Sequence, residues 1–182
     1  MILTPNILAR LVAIVVGGVI LQLSLFSQVA LFHVSPDLLP SLIVVLGLLG
    51  GSLTGAVCGF SAGLLLDCLL IVSLGGGSLV LLTVGYLAGI FRERFEVHSP
   101  LVAPLLCMGL TIFAELGFGA VEALLGFDAP VSSLVIRDIL VKGVFAFFGG
   151  WVIYFGVRRA LRPALVEEKA LRRNRPPTVL GT

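Results

Sequence analysis

Residues 11–32 run without a single Asp, Glu, Lys or Arg. Twenty or so apolar residues in a helix, at 1.5 Å each, cover the roughly 30 Å hydrocarbon thickness of a bilayer. The far end of the run has no small-residue cleavage pattern, so it reads as a retained anchor and not a removed signal peptide. Comparable runs recur at 37–50, 52–72, 78–91, 100–125 and 132–157. Ser35 and Pro36 are placed to cap and open the second, Ser99 and Pro100 the fifth. The second and fourth runs are about 14 residues long, short for a perpendicular span, and imply tilt, re-entrance or extension into their glycine-rich flanks.

Composition decides what surrounds these runs. Hydrophobic residues make up 58% of the 182 and charged residues only 12%, about half the charged share of a soluble domain. A soluble fold could not hide that much apolar surface behind so few charges. Lipid is the expected surroundings, and the fold class is an all-α integral membrane bundle of six transmembrane helices.

Basic residues orient it. With the N-terminus inside, Arg10, Arg92, Arg94, Arg158, Arg159, Arg162, Lys169, Arg172, Arg173 and Arg175 all fall on one face, and the opposite loops receive none. Arg137 and Lys142 alone lie within a span. Both termini are therefore expected in the cytoplasm. The organisation is a membrane domain over 1–162 followed by a basic, flexible tail over 163–182. Clustering of the basic residues at the tail argues against nucleic-acid binding. Cys58, Cys68 and Cys107 stand singly in apolar runs and read as small buried residues, with no metal site and no cofactor implied.

Two patterns stand out within the spans. Gly51, Gly55, Gly59 and Gly63, followed by Asp67, recur every fourth residue and form a small-residue ridge. A second helix can approach closely along such a ridge, either another helix of the same chain or a partner's transmembrane helix. The ionisable residues Asp67, Glu115, Glu122, Arg137, Asp138 and Lys142 all fall in the outer half of the membrane or near its middle, which implies an outward-facing polar cavity or an ion-paired network. Counted from the 126–131 loop, Glu115 and Lys142 lie ten residues deep on facing spans, about 15 Å at 1.5 Å per residue. They should pair, with Asp138 as a secondary partner of Lys142 and Glu122 with Arg137 nearer the surface. Asp67 should find a helix end or one of these polar groups. No nucleophile or phosphate-binding motif is present, and His33 and His98 lie on opposite faces, so the chain does not read as an enzyme.

The string Gly59-Phe60, Gly63-Leu64-Leu65-Leu66-Asp67, with Pro36-Asp37-Leu38-Leu39 before it and Leu74-Gly75 and Tyr86 after it, resembles the rod shape-determining protein MreD family. The resemblance covers residues 11–159 and also matches in span count and length. It implies a non-enzymatic scaffold in the bacterial cytoplasmic (inner) membrane that binds MreC. Through MreC it would couple MreB filaments to RodA and its class B penicillin-binding transpeptidase, and so to peptidoglycan synthesis. Members of that family are similar in fold to the substrate-binding subunits of energy-coupling-factor transporters, which leaves a small-molecule-binding membrane subunit as the alternative function.

Overall fold

The computed structural model describes residues 5–29, 37–70, 75–95, 102–124 and 133–173. They form six helices: α1 Pro5–Val29, α2 Leu38–Gly50, α3 Ser52–Leu70, α4 Gly76–Arg94, α5 Val102–Leu124 and α6 Ser133–Arg173. There is no strand among the described residues. Three helices, over Ser52–Leu69, Val102–Leu124 and Arg137–Arg159, are long and apolar enough to cross a membrane.

The shortest helix is at the centre. α2 packs against all five others, and ten consecutive residues from Leu39 to Leu48 are buried. A helix that is apolar all round is buried either in protein or in lipid; α2, at 13 residues too short to span a bilayer alone, is enclosed by protein. Its other neighbours carry the lipid-length surface. α4 is longer than the 78–91 run suggests, because it begins in the glycine break at Gly76 and continues through Arg94.

The outer surface is apolar. Leu53, Leu124, Phe148 and Val152 are each more than 65% exposed, and α6 turns Leu140, Val144, Phe148, Val152 and Phe155 outward. Large side chains displayed in this way over whole helices are what a hydrocarbon solvent requires.

At the C-terminal end the expected boundary moves. α6 continues to Arg173, so residues 163–173, expected to be a flexible tail, are helical. Ala, Leu, Glu, Lys and Arg dominate that segment, and their strong helix propensity carries the helix past Pro163. Ser35, Pro36, His33, His98, the 126–131 loop and residues 174–182 lie outside the described residues. The described N-cap of α2 is Asp37, whose side chain does not bond the helix's own N-terminus.

Candidate functional site

The glycine ridge is filled from within the chain. α3 and α4 pack antiparallel: Gly55 faces Gly85, Gly59 faces Leu81 and Gly63 faces Ser78, one helix stepping forward as the other steps back. A methyl group at any of the three would collide with the main chain of α4. Gly47 of α2 joins the same contact, where an added Cβ would fall 2.7 Å from the Gly85 carbonyl oxygen. Backbones this close gain van der Waals contact that larger residues would forbid. Of the ridge, Gly51 does something different: at φ 95° it makes the one-residue link between α2 and α3, a conformation that glycine adopts without strain. The expectation of a docking surface for a partner's helix on Gly51, Gly55, Gly59, Gly63 and Asp67 is thereby corrected, since α4 occupies that face.

Carboxylates cap both ends of this pair, each helix closing the other's N-terminus. Asp67 of α3, 7% exposed, accepts hydrogen bonds from the backbone N–H of Gly75 at 3.0 Å and of Ser78 at 3.2 Å. At the opposite end Glu93 of α4 accepts from the Ser52 backbone N–H at 3.0 Å and its hydroxyl at 2.7 Å. The first N–H groups of a helix have no partner within the helix, and an anion there also meets the positive end of the dipole. These bonds from Ser52, backbone first, hold the Glu93 carboxyl below its ordinary range, with a smaller contribution from Arg92. Beside it the Arg92 guanidinium donates to the Leu49 carbonyl at the C-terminus of α2.

The charged cluster forms around Lys142 of α6. Its ammonium donates to both oxygens of Glu115 on α5, at 3.0 and 2.9 Å, and lies 2.9 Å from Oδ2 of Asp37. Gln22 of α1, only 4% exposed, completes the set: its Nε2 donates to Asp37 Oδ1 at 2.8 Å and its Oε1 accepts the Leu38 backbone N–H at 2.9 Å. One lysine thus ties four helices through two carboxylates and an amide.

Glu115 and Lys142 meet, as their equal depth requires. Asp138 does not join them. It is exposed on α6, and Asp37 takes the position expected of it because the start of α2 is buried between α1 and α6. Nor do Glu122 and Arg137 pair: both are exposed, and neither makes an ion pair among the described residues. Asp67 belongs to the α4 cap rather than to this cluster. Asp37 and Gln22 were missed as site residues. The available signal was their location: Asp37 stands at the start of α2 and Gln22 about two turns before the end of α1, at the same end as Glu115 and Lys142.

Above the cluster is a cavity of about 300 Å³. Its polar wall is Gln22, Asp37, Glu115, Glu122 and Lys142, and its apolar wall includes Leu39, Leu66, Leu81 and Phe118. A second hollow of about 270 Å³ lies between α1 and α3 and is almost wholly apolar, lined by Val12, Val16, Leu53 and Val57 among others. The three cysteines are free, Cys58 and Cys107 buried and Cys68 exposed, so Cys68 departs from the expected burial. No group of three or more potential metal-ligating side chains occurs among the described residues. No family model matches the chain, and neither does any curated protein or solved structure.

Proposed function

We propose that this chain is a non-enzymatic, six-span scaffold of the MreD type in the bacterial inner membrane. In this reading both termini are cytoplasmic, and it joins MreC to RodA and its class B transpeptidase during cell elongation. The observation that carries the reading is the Gly59 to Asp67 string. Its residues have a physical task in the bundle, since Gly59 and Gly63 admit the α4 backbone and Asp67 caps α4. With the ridge occupied by α4, an MreC helix would meet the apolar outer surface. Catalysis is not part of the proposal.

The cavity beside Lys142 favours the second reading, a small-molecule-binding subunit of an energy-coupling-factor-type transporter. Phe118 is its one aromatic wall residue among the described residues, fewer than a vitamin ring system usually meets in its site.

Affinity purification in mild detergent separates the two. Recovery of an MreC-like protein with a polymerase or transpeptidase supports the scaffold. Recovery of cytoplasmic ATPases and their membrane coupling subunit refutes it. Topology is tested alongside: reporters fused after Thr182 or within residues 92–96 should be cytoplasmic and one in 126–131 external. A periplasmic signal from either of the first two would overturn the six-span arrangement.

A further inference from the structure

The cavity beside Lys142 has an unequal set of polar groups: among the described residues its donors are used and its acceptors are not. Lys142 directs its ammonium to three carboxylate oxygens, which uses its three donors. Gln22 is committed on both its nitrogen and its oxygen. What remains facing the cavity is acceptor capacity: the further lone pairs of Asp37 and Glu115, and the whole carboxylate of Glu122, which makes no hydrogen bond or ion pair among the described residues. Formal charge among the described lining residues points the same way, three carboxylates against one ammonium.

We propose that this cavity binds a small organic monocation, an ammonium-bearing molecule with an apolar side. The cation meets Glu122 and the free lone pairs of Asp37 and Glu115; the apolar side lies on Leu39, Leu66, Leu81 and Phe118, and Phe118 adds a cation–π contact. At roughly 30 Å³ per water-sized group, the 300 Å³ takes roughly ten non-hydrogen atoms. An anion would meet Glu122 and Asp37 with no free donor among the described residues, and a bare metal ion would leave the apolar wall empty. The inference goes beyond the scaffold reading and requires neither it nor transport, because it concerns occupancy of the cavity alone.

The test is the melting temperature of the detergent-purified full chain with 10 mM benzylammonium, benzyl alcohol or benzoate. The three share a ring and differ in charge. Benzylammonium is expected to raise the melting temperature by 2 °C or more, about what tenfold excess over Kd gives at this chain length, and the other two are not. Glu122→Gln should at least halve the rise, whereas Asp138→Asn, outside the cavity, should keep it. An ammonium group can come from a soluble amine or from an aminolipid headgroup, so dihexanoyl phosphatidylethanolamine is run against dihexanoyl phosphatidylglycerol. A shift with benzylammonium alone assigns a soluble ligand; shifts with benzylammonium and the ethanolamine lipid assign a headgroup. No shift with benzylammonium, an equal shift with benzyl alcohol, or an undiminished shift in Glu122→Gln overturns the proposal.

Discussion

Replacing Lys142 with glutamine should cost more than removing either of its carboxylates. In the native cluster one ammonium lies 2.9 Å from an oxygen of Asp37 and 2.9 Å from one of Glu115, so the two oxygens are within about 6 Å of each other. Two like charges at that separation repel by about 3 kcal/mol at an effective dielectric near 20. Without Lys142 that repulsion is uncompensated unless one carboxyl takes up a proton. The side chains retain some solvent, with Glu115 13% and Asp37 23% exposed. We therefore expect a loss on the order of 2–4 kcal/mol, at the lower end of what breaking a buried pair costs. At roughly 2–4 °C per kcal/mol for a chain of this length, the melting temperature should fall on the order of 5–10 °C. A maleimide fluorophore can follow it in detergent, because Cys58 and Cys107 are buried and react on unfolding; Cys68, which is exposed, is first changed to Ser. Glu115→Gln should lose less, since Asp37 still pairs with Lys142. The Glu115→Gln/Lys142→Gln double variant should recover part of the Lys142→Gln loss, because it leaves a single carboxylate. Strictly additive losses, or a Lys142→Gln loss no greater than that of Glu115→Gln, would refute this account of the cluster.

Gly59→Leu and Gly63→Leu should prevent accumulation of the folded chain, each forcing a side chain into the main chain of α4; normal yield in a membrane-fraction immunoblot would contradict the packing. Asp67→Leu, which strips two backbone N–H groups of their acceptor, should cost roughly 1–3 kcal/mol, with Asp67→Asn milder because it keeps an acceptor oxygen; the same melting assay checks the order. Glu93 should contribute to acid sensitivity. Its carboxyl has a lower pKa folded than unfolded, so it adds stability above the unfolded value of about 4.3, and that increment fades as the pH falls through the folded value. Between about pH 5 and 3 the wild type should lose melting temperature more steeply than Glu93→Gln, and parallel curves would argue against the Ser52 cap.

The sequence carried the element order and the polar depth more fully than it carried the partners of individual side chains. Apolar runs and glycine breaks locate all six helices, and the ends of α2 to α5 to within a few residues, because in lipid the backbone must satisfy its own hydrogen bonds and helix is the available solution; α1 begins six residues before its run and α6 ends sixteen after its own. The depth of Glu115 and Lys142 could be counted from one loop. Asp37 could not be matched to them so simply, because it stands outside its helix, and its approach to Lys142 depends on α2 being wrapped by α1 and α6. The i, i+4 spacing that suggested Asp138 for Lys142 describes one helix in isolation; a better-buried carboxylate from another helix prevails. The glycine ridge announced a close helix but not whose. Its mate became apparent only with the antiparallel register, where Gly85 and Gly89 of α4 meet Gly55 and Ser52 of α3.

The enclosure of α2 has a consequence for biosynthesis. A chain is made from its N-terminus, so α2 leaves the ribosome before α5 and α6, two of the helices that cover it. Until residue 102 and beyond have been inserted, α2 can gather only α1, α3 and α4; once α5 follows, Asp37 has Glu115 beside it but still no Lys142 to neutralise the pair. α6, made after the other five described helices, thus supplies the cation that closes the core. Nascent chains halted before α6 should remain open to membrane proteases, and completion of that helix is the step at which the bundle becomes resistant.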